Sequence, residues 1–166
     1  MSLEGKTALV TGATRGIGKA IAKALADQGA MVVGTATSEN GAESISADLK
    51  AAGAKGFGIV MNVADPDSIE AGLKEINEKA GAPAILVNNA GITRDNLLMR
   101  LKDDDWASVV ETNLSSVYRT SKAVLRGMAK ARWGRVINIS SVVAGMGNPG
   151  QANYCAAKAG VEGFTR

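Results

Sequence analysis

Short apolar runs alternate with longer amphipathic stretches along this chain. The apolar runs have the length of buried strands, and they lie at residues 6–11, 31–35, 56–61, 84–87 and 136–139. In the stretches between them, apolar side chains recur with the spacing of helices. Alternating strands and helices form one parallel sheet that is covered by helices on both faces. The pattern therefore predicts a doubly wound α/β fold, and the lack of linkers and repeats predicts a single domain over residues 1–166.

Capping residues predict where several helices begin and end. Gly29 and Gly53 follow helical patterns at residues 19–28 and 44–52, as expected of glycines that end helices. Asp65-Pro66 predicts the start of a helix that runs to about residue 80, and Asn148-Pro149 predicts the start of another. Three aspartates at 103–105 suit the N-terminus of a long helix. Its predicted buried side chains are Leu114, Val117, Ser121, Val124, Leu125 and Met128.

The first strand runs directly into a glycine-rich turn with the spacing Gly12-x-x-x-Gly16-x-Gly18. A strand, a glycine turn and a helix in this order hold a pyrophosphate, because glycines allow close approach and the helix N-terminus offers free N–H groups. The spacing differs from the commoner G-x-G-x-x-G, and an isolated match can be ordinary turn chemistry. In this strand–helix context we favour dinucleotide binding.

The end of the second strand bears on which dinucleotide is bound. NAD-binding domains place an acidic residue about 20 residues past the glycine turn, where it holds the ribose 2′-hydroxyl. Here Ala36, Thr37 and Ser38 occupy that region, and the first carboxylate is Glu39. Small hydroxyl residues leave room for a 2′-phosphate, and Arg15 supplies a counter-charge. This favours NADP(H), the alternative being that Arg15 is an ordinary surface arginine.

Small or polar residues also follow the other strands. Ligands in parallel sheets bind beyond the carboxyl ends of the strands, so these residues converge on one predicted crevice. The expected cofactor contacts at this edge are Gly12, Thr14, Arg15, Gly16, Ile17, Gly18, Thr37, Asn62, Val63, Asn89, Ala90 and Gly91.

Tyr154 and Lys158 are four residues apart in a predicted helix, so their side chains lie on one face. The phenol of a tyrosine ionises near pH 10, and an ammonium group beside it favours the ionised form. Ser141 places a hydroxyl at the end of the fifth strand, facing this helix. The arrangement suits proton transfer to and from an oxygen atom. The alternative is that Tyr-x-x-x-Lys is only a solvated helix face.

Composition excludes several classes of function. The chain has no histidine and a single cysteine, Cys155, which removes Ser-His-Asp chemistry and the usual zinc sites, and we expect no bound metal. The net charge of +3 and an aromatic content of 4% argue against nucleic-acid binding. No apolar run has the length of a membrane span, and the N-terminus enters a strand without a signal peptide. We therefore expect a cytoplasmic protein.

Basic residues form a stripe at helical spacing in the second half of the chain. The stripe is either a solvated helix face or a surface for an acidic partner, and it consists of Arg119, Lys122, Arg126 and Lys130, extended by Arg132 and Arg135.

Taken in order, these motifs resemble the short-chain dehydrogenase/reductase family along the whole chain. They are Thr11-Gly12-x-x-x-Gly16-x-Gly18, Asn88-Asn89-Ala90-Gly91, Asn113, Ser141 and Tyr154-x-x-x-Lys158. The resemblance implies a Rossmann-type fold. Within the family, TATSENGA, NNAGITRDNLLMRLK, ARWGRVIN and MGNPGQANY are similar to the bacterial branch that reduces 3-oxoacyl thioesters of acyl carrier protein with NADPH in fatty acid synthesis.

The resemblance also implies roles for individual residues. Tyr154 would donate the proton, and Ser141 would bind the carbonyl oxygen. Lys158 would assist Tyr154 and hold the nicotinamide ribose, so that Tyr154 and Lys158 would both contact the cofactor. Asn113 would help to hold a water that relays protons through Lys158. Arg132 matches a basic position associated with docking of the carrier protein. A homotetramer is implied, with the two long helices at its subunit contacts.

Members of the family continue beyond the position of Arg166. We therefore expect the last strands and the substrate-covering helices to be absent from this chain, and a protein that ends here to be poorly soluble and inactive. Two other functions stay open. One is a reductase of acetoacetyl-CoA or another ketone, and the other is a nucleotide-binding module without turnover.

Overall fold

Five parallel strands form a single sheet in the computed structural model, which describes residues 2–166. The strands are β1 (Thr7–Val10), β2 (Met31–Ala36), β3 (Gly56–Val60), β4 (Ile85–Asn88) and β5 (Arg135–Asn138). Every predicted strand is confirmed to within one residue at each end. The order across the sheet is β3-β2-β1-β4-β5, so the point at which the strand order reverses lies between the neighbouring strands β1 and β4.

Helices connect the strands and cover both faces of the sheet. They are α1 (Gly16–Asp27), α2 (Glu39–Ala51), α3 (Pro66–Ala80), α4 (Asp103–Val110), α5 (Ser116–Ala131), α6 (Val143–Met146) and α7 (Ala152–Thr165). A 3₁₀ turn, Leu98–Arg100, precedes α4. A π-helical turn, Glu111–Ser115, joins α4 to α5 without a break, so the two form one long helical run.

The core consists of two apolar layers, one on each face of the sheet. Alternate residues of a strand point to opposite faces, so Ala8 and Val10 of β1 join the layer under α1 and α2, whereas Leu9 joins the layer under α3 and α5. The four residues of β1 and the four of β4 are all buried. The doubly wound fold predicted from the alternation of elements is confirmed.

Helix α2 begins five residues before the predicted start at Ser44. Ser38 caps it, because its hydroxyl oxygen accepts a hydrogen bond of 3.2 Å from the N–H of Gly41. Glu39 lies in the first turn, where its negative charge is favoured. Asn40-Gly41 is typical of a turn, which conceals this start in the sequence.

The prediction that Asn148-Pro149 begins the last helix is wrong. Gly150 adopts a φ of +79°, and α7 begins only at Ala152. The side chain of Asn148 donates to Oε1 of Gln151 at 2.7 Å instead of capping the helix.

The prediction that Leu125 is buried is also wrong. Val117, Ser121, Val124 and Met128 form the buried face of α5, and Leu125 is 52% exposed because it lies one residue beyond that face. None of the helices formed by residues 2–166 is long and apolar enough to cross a membrane.

Arg132 follows α5 with a φ of +52°, and it is the only non-glycine residue with positive φ among residues 2–166. The left-handed conformation costs an ordinary residue about 1–2 kcal/mol, and glycine avoids most of this cost. We expect Arg132→Gly to raise the midpoint of thermal unfolding by about 1–4 °C. Arg126→Gly, in the middle of α5, is the matched control and should lower it by about 2–4 °C. Thermal denaturation followed by circular dichroism measures both, and equal destabilisation by the two changes would contradict the argument.

Candidate active site

A cleft of about 580 Å³ lies at the carboxyl ends of the central strands. All twelve residues predicted from the glycine turn and the strand ends line it: Gly12, Thr14, Arg15, Gly16, Ile17, Gly18, Thr37, Asn62, Val63, Asn89, Ala90 and Gly91. The structure therefore brings together residues that are spread over almost eighty positions of the sequence. Thr35, Ala36, Met61, Ile92 and Thr112 also line this cleft, although the motifs did not indicate them.

The glycine turn is packed tightly against its neighbours. Gly12 has a φ of +65°, and its N–H donates to the hydroxyl of Thr35 at 3.1 Å. A side chain at Gly18 would collide with the carbonyl oxygen of Gly12 and the amide of Asn89. By contrast, space is open beside Gly16, at the start of α1. No side chain among the described residues caps α1, so its N-terminal N–H groups face the cleft.

The two halves of the cleft are joined by Thr11 and Asn89. The hydroxyl oxygen of Thr11 accepts hydrogen bonds of 3.0 Å from the N–H groups of Asn89 and Ala90. In the other direction, the side-chain amide of Asn89 donates to the carbonyl oxygens of Thr11 and Gly12, both at 3.0 Å. These bonds fix the distance between the glycine turn and the segment that follows β4.

Arg15 and Thr37 are exposed residues on the rim of the cleft. Within residues 2–166, Arg15 takes part in no ion pair. Ser38 does not line the cleft, because its hydroxyl caps α2. Of Thr37 and Ser38, only Thr37 therefore lines the cleft, where it can contact a ligand.

A second cavity, of about 430 Å³, contains Tyr154 and Lys158. It shares Arg15, Ile17, Asn89, Gly91 and Ile92 with the cleft, so the two spaces adjoin each other. Its remaining lining residues are Thr93, Arg94, Ile139 and Ser140. A ligand long enough to occupy both the cleft and this cavity would extend from the glycine turn to Tyr154.

Lys158 is 5% exposed, although it carries a charged group. Its Nζ donates to the carbonyl oxygen of Ile139 at 2.7 Å and lies 5.7 Å from the centroid of the Tyr154 ring. Burial lowers the pKa of Lys158 below its ordinary value, because desolvation disfavours the ammonium form. The carbonyl of Ile139, at the end of β5, fixes the position of Nζ beside the tyrosine.

Asn113 lies at the centre of the π-helical turn and is 1% exposed. Its Nδ2 donates to the carbonyl oxygens of Ile92, at 2.9 Å, and Val109, at 2.8 Å. Its Oδ1 accepts a bond of 3.2 Å from the N–H of Ile92 and also contacts Gly91 so closely that a side chain there would collide with it. The amide of Asn113 is thus fully used in holding the segment that follows β4.

Ser141 is half-buried beside the second cavity but does not line it. Its hydroxyl oxygen accepts a long bond of 3.4 Å from the N–H of Val143. The preceding residue, Ser140, lines the cavity instead, and its hydroxyl donates to Oε1 of Glu162 at 2.9 Å. The sequence pointed to the end of β5 but did not distinguish between these neighbouring serines.

Arg132 lies far from both cavities. Helix α5 carries the chain from the carboxyl edge of the sheet back to the amino edge, and its 16 residues span about 24 Å. Arg132 follows the end of α5 and precedes β5, so it is at the edge opposite to Tyr154.

Of the residues in the basic stripe, Lys122, Arg126 and Lys130 are exposed. The guanidinium of Arg119 forms an ion pair of 2.6 Å with the carboxylate of Glu111.

Residues 6–166 match the family model described as short chain dehydrogenase. Together with the parallel sheet, the glycine-lined cleft and the Tyr154–Lys158 pair, this match shows that the chain belongs to the short-chain dehydrogenase family of oxidoreductases. Membership implies a nicotinamide cofactor. The open space beside Gly16 and the uncapped start of α1 fit the pyrophosphate of such a cofactor.

Curated relatives carry the name 3-oxoacyl-[acyl-carrier-protein] reductase FabG. The chain is 65% identical to the protein of Pseudomonas aeruginosa and 64% identical to those of Vibrio harveyi and Vibrio cholerae. Each comparison covers all 166 residues of this chain and 67% of the relative. The chain thus spans about two thirds of the length of these relatives.

Proposed function

We propose that this protein reduces the 3-oxo group of acyl thioesters on acyl carrier protein to a 3-hydroxy group, with NADPH as the hydride donor, in fatty acid synthesis. The observation that carries the proposal is the pairing of Tyr154 and Lys158 in a cavity that adjoins the glycine-lined cleft. The names of the relatives, which are 63–65% identical, support the choice of substrate.

When bound in the cleft, the nicotinamide supplies a hydride to the carbonyl carbon at position 3. Tyr154 donates the proton that the ketone oxygen needs as it becomes a hydroxyl group. Lys158, held by the carbonyl of Ile139, places its ammonium group beside the ring, where it stabilises negative charge that develops on the phenolic oxygen during proton transfer. A second role proposed for Lys158 is to bind the nicotinamide ribose.

Ser141 and Asn113 have supporting roles in this proposal. Ser141 binds the ketone oxygen after a small movement of its loop, since its present hydrogen bond to Val143 is long and therefore weak. Asn113 helps to hold a water that relays protons through Lys158, and it does so through its main chain, because its side-chain amide is occupied by Ile92 and Val109.

The preference for NADP(H) rests on the exposed rim of the cleft. Arg15 is free to approach a 2′-phosphate, and Thr37 offers a hydroxyl beside it. The nearest acidic residue of the sequence, Glu39, belongs to the first turn of α2, and the cleft lining contains no carboxylate in the described part of the chain.

Arg132 is the residue proposed for docking of the acidic carrier protein. Because it lies at the opposite edge of the sheet from Tyr154, a carrier protein bound there delivers its acyl group to the cavity of a neighbouring copy. A homotetramer provides such a neighbour. Exposed apolar side chains on the two long helices support this assembly: Tyr118 and Leu125 on α5, and Phe164 on α7.

The function is tested in a protein whose chain continues beyond Arg166, as those of its relatives do, by following NADPH oxidation with acetoacetyl thioesters of acyl carrier protein and of coenzyme A. We expect a higher kcat/KM for the carrier-protein thioester, and Arg132→Ala should lower that value severalfold without affecting the coenzyme A thioester. Preference for coenzyme A would identify an acetoacetyl-CoA reductase. Absence of turnover while NADPH still binds would identify a nucleotide-binding module.

Tyr154→Phe should reduce kcat by about 10²–10⁴-fold and leave NADPH affinity nearly unchanged. Phenylalanine keeps the packing of the ring and removes only the transferable proton, and general acid catalysis contributes a factor of this size. Lys158→Ala should lower both kcat and cofactor affinity. Tyr118→Phe is the matched control, since Tyr118 is half exposed on α5. Steady-state rates and fluorescence titration measure these effects, and a Tyr154→Phe protein with most of its kcat would refute the assignment.

Arg15→Ala should weaken NADPH binding about tenfold or more and barely affect NADH. The change removes one charge-assisted hydrogen bond to the 2′-phosphate, which contributes about 1.5–3 kcal/mol. Fluorescence titration with each cofactor measures the effect, and Arg126→Ala controls for the loss of a surface charge. Equal losses for the two cofactors would show that another residue binds the phosphate.

A further inference from the structure

The cavity that holds Tyr154 contains a cation that the proposed mechanism does not use. Arg94 lines this space together with Arg15 and Lys158, and the described lining includes no carboxylate. The only acceptor of the Arg94 guanidinium within residues 2–166 is the neighbouring carbonyl of Thr93, at 2.8 Å. A guanidinium has five N–H donors, so most of them are available to a ligand.

The backbone of Arg94 is fixed next to the tyrosine. Asn153, which immediately precedes Tyr154, is 0% exposed, and its Nδ2 donates to the carbonyl oxygen of Arg94 at 2.9 Å. The Oδ1 of the same amide accepts a bond of 2.8 Å from the N–H of Tyr154. One buried side chain therefore ties Arg94 to the residue that carries the phenol.

The residues that follow Arg94 are attached to the same region. The carboxylate of Asp95 accepts bonds of 3.2 Å from Gln151, and the N–H of Asn96 donates to the carbonyl oxygen of Gly150 at 2.9 Å. Three successive residues of this loop are thus bonded to residues 150–153, around the start of α7. These bonds fix the backbone of Arg94 relative to Tyr154, and the exposed side chain of Arg94 lines the cavity from this anchored position.

We propose that Arg94 is a specificity-determining residue, which donates a hydrogen bond to the thioester carbonyl oxygen of the substrate. This proposal rests on the proposed function. In a 3-oxoacyl thioester, the ketone and the thioester carbonyl are separated by one methylene group, so both oxygens lie in the same small space. Tyr154 faces the ketone oxygen and Arg94 the thioester oxygen.

The position of Arg94 favours this ligand over an anionic group of the cofactor. Arg15, on the rim shared with the cleft, is placed for the phosphates, whereas Arg94 lines only the cavity that contains Tyr154. A group bound by Arg94 is therefore close to the reacting carbon. The thioester carbonyl distinguishes a 3-oxoacyl thioester from a simple ketone. Arg94 is the hydrogen-bond donor that recognises this carbonyl.

The test compares two substrates in NADPH oxidation: the acetoacetyl thioester of N-acetylcysteamine, and the thioether in which a methylene replaces its thioester carbonyl. Arg94→Ala should raise KM for the thioester about 10–100-fold, as expected for loss of a hydrogen bond to a charged donor, and change kcat little. For the thioether, KM should change less than about twofold. Arg94→Lys should restore part of the loss, because lysine keeps the charge but not the planar donor geometry.

Arg100→Ala is the matched control, because Arg100 is an exposed arginine of the same loop that does not line the cavity. Fluorescence titration should give the same NADPH affinity for Arg94→Ala as for the unaltered protein. Equal losses for thioester and thioether, an unchanged thioester KM, or weaker NADPH binding would each overturn the proposal.

A separate measurement distinguishes failure of this proposal from failure of the proposed function. Saturation-transfer NMR, with NADP⁺ present, measures binding of the thioester and the thioether without turnover. If the unaltered protein reduces neither this thioester nor that of acyl carrier protein, the proposed function fails. Preferential binding of the thioester that disappears in Arg94→Ala would still support recognition of the carbonyl, and the absence of any preference would refute it.

Discussion

The side-chain amides of three asparagines hold the segment that follows β4, and the candidate site depends on this segment. Asn89 binds the glycine turn, Asn113 binds Ile92, and Asn153 binds Arg94. An amide offers both donors and an acceptor, so each can hold the chain at two or more points. Asn113 and Asn153 are almost completely buried, where an unpaired polar group would be costly. The segment thus forms a rigid wall shared by the cofactor cleft and the cavity of Tyr154.

The sequence predicted structure best where a pattern of residues is compatible with only one kind of element. Short apolar runs located all five strands, although β5 contains no buried residue and its Ile137 is 45% exposed. The rule that ligands bind at the carboxyl ends of parallel strands led to the residues that line the cleft. Helix starts were harder, because Asn40-Gly41 and Asn148-Pro149 each suit both a helix and a turn. Only the contacts of Ser38 and the positive φ of Gly150 distinguish these alternatives.

Other features of the site depend on tertiary contacts that no local pattern contains. The π-helical turn carries Asn113, which bonds both to Val109 of the same helical run and to Ile92 of a distant loop. In the sequence, nothing distinguishes Arg94 from the other arginines. Its candidate role becomes visible only in the structure, where Asn153 holds its backbone beside Tyr154. For the same reason, adjacent serines at the end of β5 could not be separated before their surroundings were known.

The π-helical turn also determines which changes in length the long helical run tolerates. A π turn contains one residue more than an α turn, and one residue corresponds to about 100° of rotation around a helix. Helix α4 packs on α7, whereas α5 packs on α3 and β4. The wider turn takes up one extra residue without rotating α5 relative to α4, so both helices keep their packing faces. Loss of one residue between positions 111 and 115 would therefore be absorbed by conversion of the turn to α-helix, with Val117 and Val124 still facing the core. A residue inserted elsewhere in α5 has no such outlet and would turn the side chains beyond it about 100° away from the core.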